Sequence, residues 1–156
     1  MDTESKPDNF KAINILHKAL LFAELFFSVI AAYLVYSNTF SSTLQDQDKI
    51  FLCVAFIFSV AGYFAGTSIF NNRLAEIRGS DDDLDTKFNK YRAASIMRWA
   101  MIEGPCIFSL ICFLLTADYK LLILALILIV VLTIIGPSRT KIATQMELDD
   151  EEATSL

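Results

Sequence analysis

The chain has 156 residues, of which 54% are hydrophobic, with a mean hydropathy of +0.49 and a formal net charge of −5. Soluble domains contain roughly 45–50% apolar residues, so this composition argues against one. No stripe of basic residues with interleaved aromatic residues occurs outside the apolar blocks, so nucleic acid is not an expected partner.

The apolar residues form four long blocks, which cover residues 12–36, 50–70, 94–117 and 119–135. A helix of about 20 apolar residues crosses the roughly 30 Å hydrocarbon layer of a bilayer. Helices that are apolar on every side need lipid around them, and so short a chain cannot bury four of them in itself. We therefore predict an all-α integral membrane four-helix bundle of two hairpins over residues 12–137, with the lipid bilayer as its partner.

A polar segment, residues 1–11, precedes the first block. Lys11 and Lys18 ahead of the apolar stretch also fit a cleaved signal peptide. The stretch is longer than a signal peptide needs, contains Glu24, and ends in Tyr-Leu-Val-Tyr-Ser-Asn instead of a small-x-small cleavage site. We predict that the helix is retained.

The second block carries Gly62 and Gly66, whose spacing of four places two bare positions on one helix face. Such a face lets another helix approach closely. The pair predicts helix packing within the bundle, against the first or fourth helix, or contact with a second copy in a homo-oligomer or a larger membrane complex.

A charged segment, residues 71–93, follows and is predicted to be a helical hairpin outside the membrane. Gly79 suits the C′ position of its first helix and Ser80 the N-cap of its second, with Asp81, Asp82 and Asp83 at the positive end of the helix dipole.

A tight turn around Asp118 is predicted to join the third and fourth blocks, and Gly136 with Pro137 to end the fourth. The tail, residues 138–156, becomes strongly acidic from Asp149 onward. It is expected to be mostly disordered after a short interfacial helix.

Lysine and arginine are distributed unequally between the two ends of the predicted spans. Two of them, Lys49 and Lys120, lie on one side, and eleven lie on the other: Lys6, Lys11, Lys18, Arg73, Arg78, Lys87, Lys90, Arg92, Arg98, Arg139 and Lys141. Cytoplasmic loops carry the excess of Lys and Arg, so both termini and the charged hairpin are predicted to be cytoplasmic.

Two glutamates, Glu24 and Glu103, lie near the middle of the first and third spans. An ionised carboxylate there costs about 2.5–3.5 kcal/mol on insertion scales, so we expect neutral acids or a nearby donor. His17, Lys18 and Arg98 are the candidate donors. Arg98 and Glu103 are about 140° apart on one helix, so pairing between helices is easier, and Lys18 and Arg98 can instead extend to the interface.

Pro105 removes the amide that would bond to the carbonyl of Met101, so the turn containing Glu103 is expected to open. Irregular backbone within a membrane is tolerated where it packs on protein or lines a cavity. Glu103 is thus a candidate proton or cation site, or the polar member of a purely structural kink.

Residues 102–110, Ile-Glu-Gly-Pro-Cys-Ile-Phe-Ser-Leu, resemble the proton-binding helix of ATP synthase subunit c. That resemblance covers one helix and implies that Glu103 carries the ion. Arg-Trp-Ala-Met-Ile-Glu-Gly-Pro at residues 98–105, together with the four-span layout, resembles small four-helix bacterial inner-membrane proteins of uncharacterised function. This second resemblance implies a bacterial inner (plasma) membrane location.

Catalysis and cofactors are not expected. Cys53, Cys106 and Cys112 lie in apolar blocks without a C-x-x-C pair, and a single His leaves too few ligands for a metal site. No phosphate-binding loop or nucleophile motif occurs, and the spacing of Ser28, Ser59 and Ser109 does not suggest an intramembrane enzyme.

Two functions remain open. The first is a structural or accessory inner-membrane protein, in which the two glutamates form a buried polar contact between the first and third helices. The alternative is a proton- or cation-handling transport protein or subunit that uses Glu103 and Glu24. Access of water to Glu103 would distinguish the two.

Overall fold

A computed structural model of the chain describes residues 9–39 and 47–148. In these ranges the predicted all-α class is confirmed, with five helices: α1 (Asn9–Tyr36), α2 (Asp48–Arg78), α3 (Leu84–Thr116), α4 (Tyr119–Ile134) and α5 (Arg139–Met146). The start of the predicted polar segment, residues 1–8, and the acidic part of the tail, residues 149–156, lie outside the described residues.

Three helices, α1, α2 and α3, are each long and apolar enough to cross a membrane. The fourth block differs, because α4 has only 16 residues and is therefore about 24 Å long. A bend of 70° separates α4 from α5, and the two count as a fourth candidate span only when taken together. The chain is therefore a multi-pass membrane protein with three to four candidate spans.

The third helix lies at the centre of the bundle and contacts α1, α2 and α4. In its most apolar stretch 50% of the residues are buried, compared with 22% in α1 and in α2. The other faces of α1, α2 and α4 carry exposed large apolar side chains, among them Phe22, Phe26, Val29, Phe56, Phe64, Ile123, Ile127 and Val130. Such faces imply contact with the lipid bilayer.

The two ends of the bundle differ in charge. At one end, called here the turn end, α3 and α4 are joined through Ala117 and Asp118, and Ala31 of α1 packs with Phe113 and Leu121. At the other, called here the basic end, lie the start of α1, the α2–α3 connection and α5. Among the described residues, only Lys49 and Lys120 of the lysines and arginines belong to the turn end.

The charged hairpin consists mainly of extensions of α2 and α3 beyond their apolar stretches. Gly79 caps α2, but the prediction for Ser80 is wrong: α3 has Asp83 as its N-cap, and the Ser80 hydroxyl donates to the carbonyl of Ile77 at 2.9 Å. Lys90 donates a hydrogen bond to Asp82, which lowers the pKa of that carboxyl below its usual range.

The short helix α5 closes the basic end. Its Ile142 and Met146 are buried in the same apolar cluster as Phe70, Leu74 and Ile77 of α2. Arg78, the last residue of α2, donates to the carbonyl of Gln145 at 2.7 Å and pairs with Glu147 at 3.1 Å. This anchoring explains why the chain turns back onto the bundle after Pro137.

The glycine pair of α2 packs against α3. A Cβ atom at Gly62 would lie 2.3 Å from the carbonyl oxygen of Met101, and one at Gly66 would lie 3.2 Å from the carbonyl oxygen of Arg98. The two helices approach along this face to backbone contact. It is covered within the chain, by the third helix instead of the first or fourth, and is not open to a second copy.

Candidate functional site

Glu24 lies on the buried face of α1, which also presents Ile13, His17, Ser28 and Ala31 at helical spacing. The residue is only 3% exposed. Both carboxyl oxygens are buried, and neither has a hydrogen-bond partner among the described residues. A buried polar group without a partner is rare in native proteins and needs an explanation.

Glu103 lies on α3 close enough to Glu24 for the two carboxyls to interact electrostatically. Glu24 is 12 residues from the end of α1 and Glu103 is 13 residues from the end of α3, so both are about 18–20 Å below the turn end. Glu103 is half-buried, whereas Glu24 is enclosed. The pair therefore has one carboxyl inside the bundle and one that reaches its surface.

Cys106 is the third polar group at this position. Its thiol lies beside the Glu24 carboxyl, while Sγ donates to the carbonyl of Ala125 at 3.6 Å. A thiol is a weak donor and cannot substitute for a cation. The site thus consists of two carboxyls and a fully buried thiol, enclosed by α1, α3 and α4.

The structure does not bring the predicted donors to the carboxyls. The Arg98 guanidinium lies over the ring of Phe70, 5.0 Å from its centroid, and Lys18 is exposed. Across residues 9–39 and 47–148, neither Glu24 nor Glu103 has an ion pair. The carboxyls of Glu24 and Glu103 are thus close enough to interact electrostatically, with no cation paired to either of them among the described residues.

His17 shares a face with Glu24 but connects α1 to the end of α4 instead. Its Nε2 donates to the carbonyl of Leu132 at 3.0 Å, and its ring lies 4.7 Å from that of Trp99. Gly136 makes room for it, because a Cβ there would lie 2.7 Å from Cε1 of His17. His17 is therefore a structural joint at the basic end.

Replacing His17 with alanine is expected to destabilise the bundle. The change leaves a cavity beside Trp99 and removes the donor to the Leu132 carbonyl, and one unsatisfied buried group costs about 1–3 kcal/mol. Thermal unfolding in one detergent measures the loss. Lys18→Ala, one residue along and exposed, serves as the control, and an equal loss in both variants would contradict a joint at His17.

Pro105 lies within α3, on the side of the helix that packs against α2. The helix continues through it, and the carbonyl of Met101, which loses its amide donor, is covered by Gly62 of α2. The Glu103 carboxyl lies near that of Glu24 on α1. The freed carbonyl and the carboxyl thus lie on different sides of α3, so Met101 contributes nothing to the carboxyl site.

The serine hydroxyls within the membrane are used locally. Ser28, Ser59 and Ser109 each donate to the carbonyl four residues earlier, at 2.7–2.8 Å. This arrangement satisfies the hydroxyl within its own helix. None of the three is held by a neighbouring base, as a nucleophile would be.

The roles of three residues in this region were not predicted from the sequence. Cys106 was interpreted only as a small buried hydrophobe, although its position three residues after Glu103 places both on one face of α3. Trp99 and Gln145 gave no signal of their own. A lone tryptophan near a helix end is common in membrane proteins, and Gln145 acquires its partner only through the fold.

Comparison of the chain with models of protein families, with curated proteins and with solved structures gives no match in any of the three. The described residues also contain no group of three or more His, Cys, Asp or Glu side chains that could hold a metal ion. The class defined by the fold is a small multi-pass membrane protein, and both resemblances stay predictions.

Proposed function

We propose that this membrane protein binds and releases a proton at the pair of Glu24 and Glu103. The observation that supports the proposal most directly is the Glu24 carboxyl, which is 3% exposed, has no hydrogen-bond partner among the described residues and lies near a second carboxyl, that of Glu103. Two neighbouring carboxyls in a medium of low dielectric cannot both be ionised at low cost. Such a pair therefore holds at least one proton.

The two carboxyls have different tasks in this proposal. Glu103, which is half-buried, exchanges the proton with water or with a neighbouring group, and Glu24 retains it inside the bundle. The same pair of carboxyls could bind a monovalent cation in place of the proton. A divalent metal is not part of the proposal, because the described ligand groups are too few.

Infrared spectroscopy of the purified chain in nanodiscs tests proton binding directly, because a protonated carboxyl and a carboxylate absorb differently. The parent is expected to show a protonated carboxyl that loses its proton as the pH rises. Glu24→Gln should remove that signal, while Glu76→Gln, an exposed glutamate, should leave it unchanged. A signal that is equal in the parent and in Glu24→Gln would refute the proposal.

Proton flux into liposomes under an imposed potential separates transport from binding alone. If the chain transports protons, flux exceeds that of protein-free liposomes, and Glu24→Gln and Glu103→Gln abolish the excess. If the chain is a subunit, binding is detected by infrared spectroscopy without flux. The two measurements together therefore assign the role as well as the site.

A structural or accessory role is the second candidate, and the exposure of Glu103 favours it. A half-buried carboxyl about 20 Å from the turn end lies at membrane depth, where lipid cannot solvate it. A partner chain or a second copy would cover it. Co-purification from native membranes, with and without Glu103→Leu, tests this role: loss of one defined partner supports it, and an unchanged set of proteins counts against it.

We further propose a bacterial inner-membrane location with both termini and the basic end in the cytoplasm, and a role that involves no covalent catalysis. The eleven-to-two distribution of Lys and Arg supports the orientation. Reporter fusions at the N-terminus, near Asp83 and after Glu147 are expected to report cytoplasm, and a fusion near Thr43 the opposite side. One inverted site would overturn the orientation.

A further inference from the structure

A second polar site lies at the basic end, away from the two glutamates. It is a pocket of about 210 Å³ at the bend between α4 and α5. Four helices contribute to its wall, with Phe70 from α2, Ser95 and Arg98 from α3, the end of α4, and Lys141 from α5. No acidic side chain is among the residues that line it.

Arg98 is the principal charge in this pocket. Its guanidinium is held by the ring of Phe70, and its Nε is buried without an acceptor among the described residues. A guanidinium carries five donors and is always charged, so a partly buried one is normally matched by an anion. Within the described residues it has no carboxylate partner.

The remaining polar groups of the pocket also favour an anion. Lys141 donates to the carbonyls of Ile134 at 2.7 Å and Gly136 at 3.3 Å, which uses two of its three donors. The side-chain oxygen of Gln145 accepts from the hydroxyl of Tyr91 at 2.7 Å, which leaves the amide NH₂ as a donor. Donors therefore outnumber acceptors around the cavity.

The position of the pocket along the membrane normal indicates which kind of anion could reach it. Arg98 is 18 residues from the end of α3, or about 27 Å along the helix, which is close to the full thickness of the hydrocarbon layer. The pocket therefore lies at the level of the lipid headgroups. Its volume is below the roughly 300–1,000 Å³ of sites for drug-sized ligands, so it suits a headgroup-sized ligand.

We propose that the pocket between Arg98, Lys141 and Gln145 binds a phosphate group, carried by an anionic phospholipid or free in solution. Arginine is suited to phosphate because its planar fork donates two parallel hydrogen bonds to a tetrahedral anion. The bound phosphate would connect α3 to α5 and fix the bend after α4. This inference is independent of the proton site, because the two share no residue.

Two experiments on the full chain separate the sources of the phosphate. In detergent, thermal unfolding is measured with inorganic phosphate against chloride at equal ionic strength. In nanodiscs, it is measured with phosphatidic acid added to phosphatidylcholine. Stabilisation by both indicates that the site takes any phosphate, and stabilisation by phosphatidic acid alone indicates a lipid site. No effect of either on the parent would overturn the proposal.

Variants then tie the effect to the pocket. Arg98→Gln is expected to weaken phosphate binding by about tenfold or more, and Arg98→Lys, which keeps the charge, by less. Arg73→Gln is the matched control, since it removes one charge from the same end of the bundle but outside this pocket. Equal weakening in Arg73→Gln would show a general charge effect and refute the site. Retained phospholipid is counted by native mass spectrometry, so a change in stability alone cannot imitate the result.

Discussion

Replacing Gly62 with leucine is expected to destabilise the protein strongly. The first added atom would lie 2.3 Å from the Met101 carbonyl oxygen and 3.0 Å from Cγ of Pro105. The first is a backbone atom and the second belongs to a proline ring, so neither can move aside through a change of side-chain rotamer. Overpacking in well-packed cores costs about 1–3 kcal/mol, and contact with backbone places Gly62→Leu at or above the top of that range.

Gly104→Ala is the matched control, and its expected effect has the opposite sign. The nearest atom to an added Cβ there is Cζ of Phe58, at 4.0 Å, which is an ordinary contact. Alanine is favoured over glycine in a helix by about 0.5–1 kcal/mol. Thermal unfolding in one detergent compares the two. If Gly62→Leu were as stable as the parent but less oligomeric, the glycine face would belong to an interface between copies instead.

Which helices form could be predicted from the sequence, because an apolar block about 20 residues long has few other stable states. The helix that packs against the glycine face of α2 could not be predicted from the sequence. Sequence spacing identifies a bare surface on α2, but Gly62 meets α3 only because the α2–α3 connection is short and the two long helices run side by side. Packing partners in a membrane depend on shape, since lipid and protein are about equally apolar.

The candidate site, like the fold, could be predicted from the sequence only in part. Acidic residues in an apolar block are visible in the sequence, so Glu24 and Glu103 could be named and their similar depth inferred. The absence of a cation beside them could not be inferred. Whether Arg98 turns toward Glu103 or toward Phe70 depends on the helix that lies opposite, and it lies over Phe70.

The third helix contributes to all of the features described above, because its different faces pack against different parts of the bundle. One face receives Gly62 and Gly66 at backbone distance, and a second brings Glu103 and Cys106 near Glu24. The part of α3 at the basic end places Arg98 in the pocket at the bend between α4 and α5.

Replacing Glu24 with leucine is expected to stabilise the protein while abolishing proton binding. The carboxyl is buried without a donor among the described residues, and an unsatisfied buried polar group costs about 1–3 kcal/mol. Leucine fills a similar volume without that cost. A gain in stability with loss of function is the usual sign of a residue retained for its activity. Thermal unfolding and the infrared signal of the protonated carboxyl, measured on the same sample, test both parts.

Two further variants complete this experiment. Glu24→Ala removes the polar group but leaves a cavity, so it should be less stable than Glu24→Leu by about 2–5 kcal/mol, the range for large-to-alanine changes in cores. Glu76→Leu, at an exposed glutamate paired with Arg73, should change stability by less than about 1 kcal/mol. The opposite result for Glu24→Leu, a clear loss of stability, would mean that the carboxyl is held by a polar contact that supports the fold. The pair of glutamates would then be structural, because a group that stabilises the bundle in its resting state needs no proton chemistry to account for its presence in the membrane.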